Sequence, residues 1–283
     1  MNKRLLWRKS VNAVMLTLTG VVTVLTVSVL FLILGLLVYN GASSLNWNFF
    51  TKLPLPAGEL GGGLANAIVG SLEIVGMAAL MGLPVGFIAG IYLSEFEDRR
   101  FASTVRFVAD LLNGMPSIVV GLLAWSLLVV TMKSFSALAG SVALSIMLVP
   151  IVTRQTEQFL REVPQSLREG ALALGASKWR MIVTVVVPAG SKGILTGMIL
   201  GVARISGEAA PLLFTALNNQ FWSGGVLQPT ASLPVMIYYR ALSAYDDWHQ
   251  QAWAAGLVLI GMVLIANISA RYVLARGISV PRG

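Results

Sequence analysis

The chain has 283 residues, of which 56% are hydrophobic and 11% charged, and its mean hydropathy is +0.79. Charges this sparse cannot cover a water-soluble globule of that length, so the composition excludes a soluble domain and marks an integral membrane protein. The lack of cysteine excludes disulfides and thiolate metal sites, and the single histidine, His249, leaves almost nothing for transition-metal chemistry.

Continuously apolar stretches rich in Gly and Ala argue for helices rather than a barrel, which would alternate over segments of about ten residues. Lys3, Arg4, Arg8 and Lys9 lead into an apolar run over 11–39, too long for a signal-peptide core and without a clean cleavage site. An uncleaved first helix is expected there, with 1–10 cytoplasmic. Residues 40–63 are polar, rich in Gly and Pro, and form an expected external loop anchored by Trp47, Phe49 and Phe50. Further spans are predicted from about 64 to 93, 105 to 132, 137 to 153, 181 to 217 and 252 to 274. The length of the fifth implies a tilt or a break.

Between the fourth and fifth spans lies a polar insert, 154–180. Its core from Ser166 to Arg180 reads as a short helix interrupted at Gly175. Residues 218–250 form a second non-membrane segment, external and aromatic, with Trp248 and His249 as interfacial anchors, and 275–283 close the chain. With a cytoplasmic N-terminus, 15 of the 20 Lys and Arg fall on the cytoplasmic side, including Arg99, Arg100 and Arg106 after the second span, and three fall outside. The net charge of +8 is therefore topological, and the bias supports six helices with both ends and the insert cytoplasmic. No Gly-x-x-x-x-Gly-Lys-Ser/Thr phosphate loop and no nucleophile constellation occurs in the sequence, so neither ATP hydrolysis by that route nor an intramembrane enzyme is expected.

Glu169-Gly170-Ala171, Gly175 and, after nine intervening residues, Val185-Val186-Val187-Pro188 reproduce the spacing Glu-Ala-Ala, three residues, Gly, nine residues, Ile-x-Leu-Pro. This resembles the cytoplasmic loop of permease subunits of binding-protein-dependent ABC importers. Gly170 replaces Ala, and Val185 and Val187 replace Ile and Leu. Residues 111–119 (Leu-Leu-Asn-Gly-Met-Pro-Ser-Ile-Val) and 203–216 (Ala-Arg-Ile-Ser-Gly-Glu-Ala-Ala-Pro-Leu-Leu-Phe-Thr-Ala) are similar to the phosphate-importer permeases within that class, a likeness running from about Ala65 to Arg271.

The resemblance implies an all-α membrane protein of the type I importer permease fold, six transmembrane helices with a cytoplasmic coupling helix, in a bacterial inner membrane. It implies a homologous second permease subunit, two copies of a cytoplasmic ATPase that bind the ATP and Mg, and a periplasmic phosphate-binding protein. It implies no cofactor or metal on this chain and no catalytic residue. Glu169, Gly170, Ala171, Gly175 and Pro188 become the ATPase-coupling residues. A permease for another oxyanion such as sulfate or molybdate, an ion-gradient-driven carrier and a membrane scaffold are the alternatives; the insert argues against the carrier.

Arg204 and Glu208 stand four residues apart in the fifth span, where an ionised side chain costs a few kcal/mol unless it is paired or faces water. On a helical wheel both lie within about 60° of Gly201, part of a Gly193, Gly197, Gly201 stripe suited to close helix packing, so both are expected on the interior face. Guanidinium binds phosphate oxygens bidentately, which makes contact with an anion path one reading of Arg204; an intrahelical ion pair with Glu208 is the other. Arg154 and Glu157 resemble a further charged pair of the phosphate permeases, as an inner gate or a cytoplasmic anchor. Pro116, with Asp110 and Asn113 nearby, and Pro211 are candidate helix breaks. Glu73 lacks a basic partner near it in sequence.

Overall fold

The computed structural model describes residues 3–59, 61–96 and 100–277. Arg99 and most of the 275–283 terminus, including Arg282, lie outside the described residues. The elements are α1 (Lys3–Ala42), α2 (Trp47–Thr51), α3 (Ala65–Glu95), α4 (Arg100–Gly114), α5 (Ser117–Met132), α6 (Ala137–Arg161), α7 (Gln165–Ala173), α8 (Lys178–Ser206), α9 (Ala210–Thr215), α10 (Leu233–Ala241) and α11 (Asp246–Gly277). Their boundaries follow local chemistry. Ser136 and Ser177 accept the free amides of Ala139 and Arg180 at the starts of α6 and α8. Pro116 and Pro164 stand immediately before α5 and α7, where the residue preceding each is pushed out of the helical region.

The bundle is built around α6. Gly82, Gly86 and Gly90 of α3 press against Leu148, Val152 and Thr156, so each step of four on one helix meets a step of four on the other and the two run parallel. On the adjoining face, sharing Leu148, Gly193, Gly197 and Gly201 of α8 press against Phe159, Gln155 and Leu148, an antiparallel register. That register continues through α9, since Gly140 meets Leu212 and Ala216. Side chains of the four helices close the central core, with Ile74, Leu144, Leu148, Val152, Ile205 and Leu212 all buried.

Because α3 and α6 lie parallel and level, the chain between them has to return along the full length of the bundle. The pair that does so, α4 and α5, is bent by 106° at Met115 and Pro116 rather than forming one straight span. Five single helices are long and apolar enough to cross a membrane, and the broken pair supplies the sixth crossing.

At the end of the bundle away from the Glu169 insert, residues 219–241 fold inward. Asn66 donates to the Asn219 carbonyl at 2.7 Å, Ser71 accepts the Leu233 amide at 2.7 Å, and Leu233, Val235 and Met236 are buried. The aromatic segment, expected as a loop or short helix at the interface, contains the short helix α10, whose apolar side is buried in this end while Tyr238 and Tyr239 are exposed. Helix α1 touches α11 near Gly41 and Trp253, and most of its apolar length is exposed.

Candidate functional site

Glu157 is 4% exposed near the end of α6 that leads into the insert, and three guanidinium groups reach it. Arg106 of α4 donates to its Oε1 through Nε at 3.0 Å and Nη2 at 2.8 Å, Arg161 lies 3.0 Å from the same oxygen, and Arg154 donates to Oε2 at 2.7 Å. Arg154 turns its other edge to Asp110 of α4, donating through Nε at 2.7 Å and Nη2 at 2.6 Å. The fork-to-fork geometry makes these strong, directional contacts. The cluster stands beside a cavity of about 610 Å³ lined by Arg106, Arg154, Glu157, Gln158, Arg161 and Glu162, where three guanidinium groups are interleaved with carboxylates.

The sequence singled out Arg154 and Glu157. In sequence Arg106 is only a basic residue after the second span and Asp110 only a neighbour of the Pro116 break, because their partners lie 51 and 44 residues away. The available signal was their own spacing: four residues apart on α4, they share one face of a markedly amphipathic helix.

Arg204 lies near the end of α8, one turn beyond Gly201. The glycine register sets it level with about the midpoint of α6, so Arg154 is some six residues, or about 9 Å, nearer the insert. The i, i+4 ion pair with Glu208, the alternative reading of Arg204, does not form. Gly207 caps α8 after Ser206, its amide returning to the Arg204 carbonyl, and Glu208 therefore stands off the helix. The expectation that Arg204 faces inward is also corrected. The buried face of α8 runs through Gly197, Gly201 and Ile205; Arg204, about 60° from Gly201 on the flank away from Ile205, is exposed. Among the described residues no carboxylate pairs with Arg204 and no basic group pairs with Glu208 or with the half-buried Glu73. Pro211 occupies the first turn of α9, where its missing amide costs nothing, and its backbone packs on Gly121 of α5.

The insert forms helix α7, which carries Glu169 and Gly170 exposed and Ala171 half-buried. Gly175, at φ +83°, ends it: its amide returns to the Leu172 carbonyl and that of Ala176 to the Ala171 carbonyl, a Schellman closure. Pro188 follows a π-helical turn, Ile182–Val186, in which the Val187 amide reaches back to Ile182. A proline at 188 has no amide for the Thr184 carbonyl, and lengthening the turn by one residue relieves that mismatch.

At the opposite end, Arg240 of α10 is 2% exposed, stacked 5.2 Å from the centre of the Trp248 ring, with Nη1 lacking a hydrogen-bond partner among the described residues. Burial pulls its pKa down to about 10 against the opposing pull of Asp247. In sequence it is one of the three basic residues on the external side, with nothing local to mark its burial.

Residues 82–278 match the family described as binding-protein-dependent transport system inner membrane component. The chain belongs to this family. It is accordingly a multi-pass inner-membrane permease subunit. Among its relatives, the phosphate transport system permease protein PstA of Yersinia pestis is 44% identical, covering 97% of this chain and 93% of that protein. PstA of Haemophilus influenzae is 45% identical over 95% and 96%. A probable PstA of Methanocaldococcus jannaschii is 36% identical over 93% of each. Solved structures share the permease fold at low identity. A chain of a bacterial alginate ABC transporter superposes with a TM-score of 0.68 at 14% identity, covering 96% of this permease and 98% of that chain. A chain of the inward-facing MetNI methionine ABC transporter gives 0.62 at 18%, covering 76% and 97%.

Proposed function

We propose that this permease is one of two homologous membrane subunits of an ATP-driven importer of inorganic phosphate, with both termini and helix α7 in the cytoplasm. Relatives named for phosphate transport over nearly the whole chain support the solute. The observation that carries the mechanism is Arg204: a guanidinium level with the middle of the bundle, exposed on this chain and free of any acidic partner among the described residues. At that depth it needs water, an anion or another chain beside it, and a phosphate path shared with the second permease provides all three.

Phosphate leaves an external binding protein, meets Arg204, and passes toward the Arg106, Arg154 and Arg161 cluster about 9 Å further in. There its oxygens compete with Glu157 and Asp110 for the same guanidinium forks, so the α4 to α6 ion pairs act as the inner gate. The chain performs no chemistry on phosphate and holds no ATP. Two copies of a cytoplasmic ATPase bind ATP and Mg, grip α7 at Glu169, Gly170 and Ala171, and drive α8 through Gly175 and Pro188.

The test is Arg204→Gln in the complete complex reconstituted into proteoliposomes. Radiolabelled phosphate uptake falls by about tenfold or more while the subunits still co-purify. Uptake at the parent rate makes Arg204 structural, and uptake of sulfate in place of phosphate by the parent complex assigns a different oxyanion.

A further inference from the structure

The last residue of α3, Glu95, is a point where four elements meet. Its carboxylate lies 3.1 Å from Arg168 of α7, with the side chains 4% and 12% exposed. Arg168 also donates to the carbonyls of Leu160 and Val163, so one guanidinium binds the end of α3, the end of α6 and the turn between α6 and α7. Lys178, the first residue of α8, donates to the Glu95 carbonyl at 2.7 Å and sits 4.1 Å from the centre of the Phe96 ring. An exposed ion pair would matter little. This one is buried, and loss of either partner leaves the other charge without its counterpart.

We propose that Glu95 and Arg168 are positioning residues that form a second coupling strut, carrying the motion of α7 directly into α3. The route along α8 begins with the π-helical turn at Ile182–Val186, before the first glycine contact with α6. Helix α3, by contrast, carries its internal proline at Pro84, so the stretch from Gly86 to Glu95 is uninterrupted and bears on α6 through Gly86 and Gly90, the latter pressed on Thr156 beside Glu157. A push on α7 therefore reaches the charged cluster from two sides of α6, and α3 provides the shorter and stiffer route. The inference rests on the reading of α7 as the surface the ATPase grips.

The chain's lack of cysteine allows the strut to be cut and rebuilt. In Glu95→Cys with Arg168→Cys, assembled in the full complex in proteoliposomes, phosphate imported per ATP hydrolysed falls by about fivefold or more. A bismaleimide spanning the two thiols restores it. Glu95→Gln, which keeps the shape and an acceptor oxygen, loses the same ratio while co-purifying normally, and so separates coupling from folding. A parent ratio in the uncrosslinked double variant, or no recovery on crosslinking, overturns the strut. Glu169→Lys run in parallel separates the two readings. If that variant uncouples and the cysteine pair does not, the strut alone fails; if Glu169→Lys stays coupled, the gripping surface itself is misplaced and the strut falls with it.

Discussion

Gly170 and Gly175 stand five residues apart and do opposite things. A Cβ added at either meets nothing within 4 Å, but Gly175 holds φ +83° and Gly170 is an ordinary helical residue. Gly170→Ala should therefore only remove backbone freedom, stabilising α7 by about 1 kcal/mol, seen as slower amide exchange over 165–173 with transport intact. Faster exchange or lost uptake would show that the glycine is needed for contact with a partner. The role of Gly175 as a helix terminator was legible in the sequence because a single residue's conformation decides it. The partners of Glu157 were not, because Arg106 reaches it only after α4 folds back across α6. Arg240 was illegible for the same reason: its burial depends on α10 tucking under α11, which no local pattern announces.

The two glycine stripes show what the sequence disclosed at the level of elements. Gly193, Gly197 and Gly201 were read as a packing face, and they are one. Gly82, Gly86 and Gly90 carry the same spacing and pack as closely, but no charged residue drew attention to them. At Gly86 an added Cβ would stand 2.7 Å from the Val152 Cβ and 2.8 Å from the Val149 carbonyl, whereas at Gly76 of the same helix it would meet nothing within 4 Å. Gly86→Ala is expected to cost about 1–3 kcal/mol by forcing α3 off α6, with Gly76→Ala stabilising by up to about 1 kcal/mol as at Gly170, as measured by thermal unfolding of the detergent-solubilised complex. Equal melting temperatures would mean that the α3 to α6 contact is looser than this packing requires. The 106° bend at Pro116 was only partly legible, since a proline marks where a helix ends and not the angle at which the chain resumes.

For the molecule as a whole, two independent arguments converge on one topology. The distribution of Lys and Arg supports six crossings, and the parallel register of α3 with α6 calls for α4 and α5 together to return the chain between them. Six crossings set α7 on the same side as both termini, the side on which a soluble ATPase would act. Glu169 is exposed there, on a short helix closed by Gly175 and tied back to the bundle by Arg168. Reversing its charge leaves every contact described within the chain in place, so Glu169→Lys should insert and assemble with the second permease. Its effect belongs to the junction between chains: ATP hydrolysis continues while phosphate uptake falls by about tenfold. Both rates measured on the same proteoliposomes check this. Parallel loss of the two would indicate a failure of assembly, and unchanged uptake would mean that the ATPase grips the permease elsewhere.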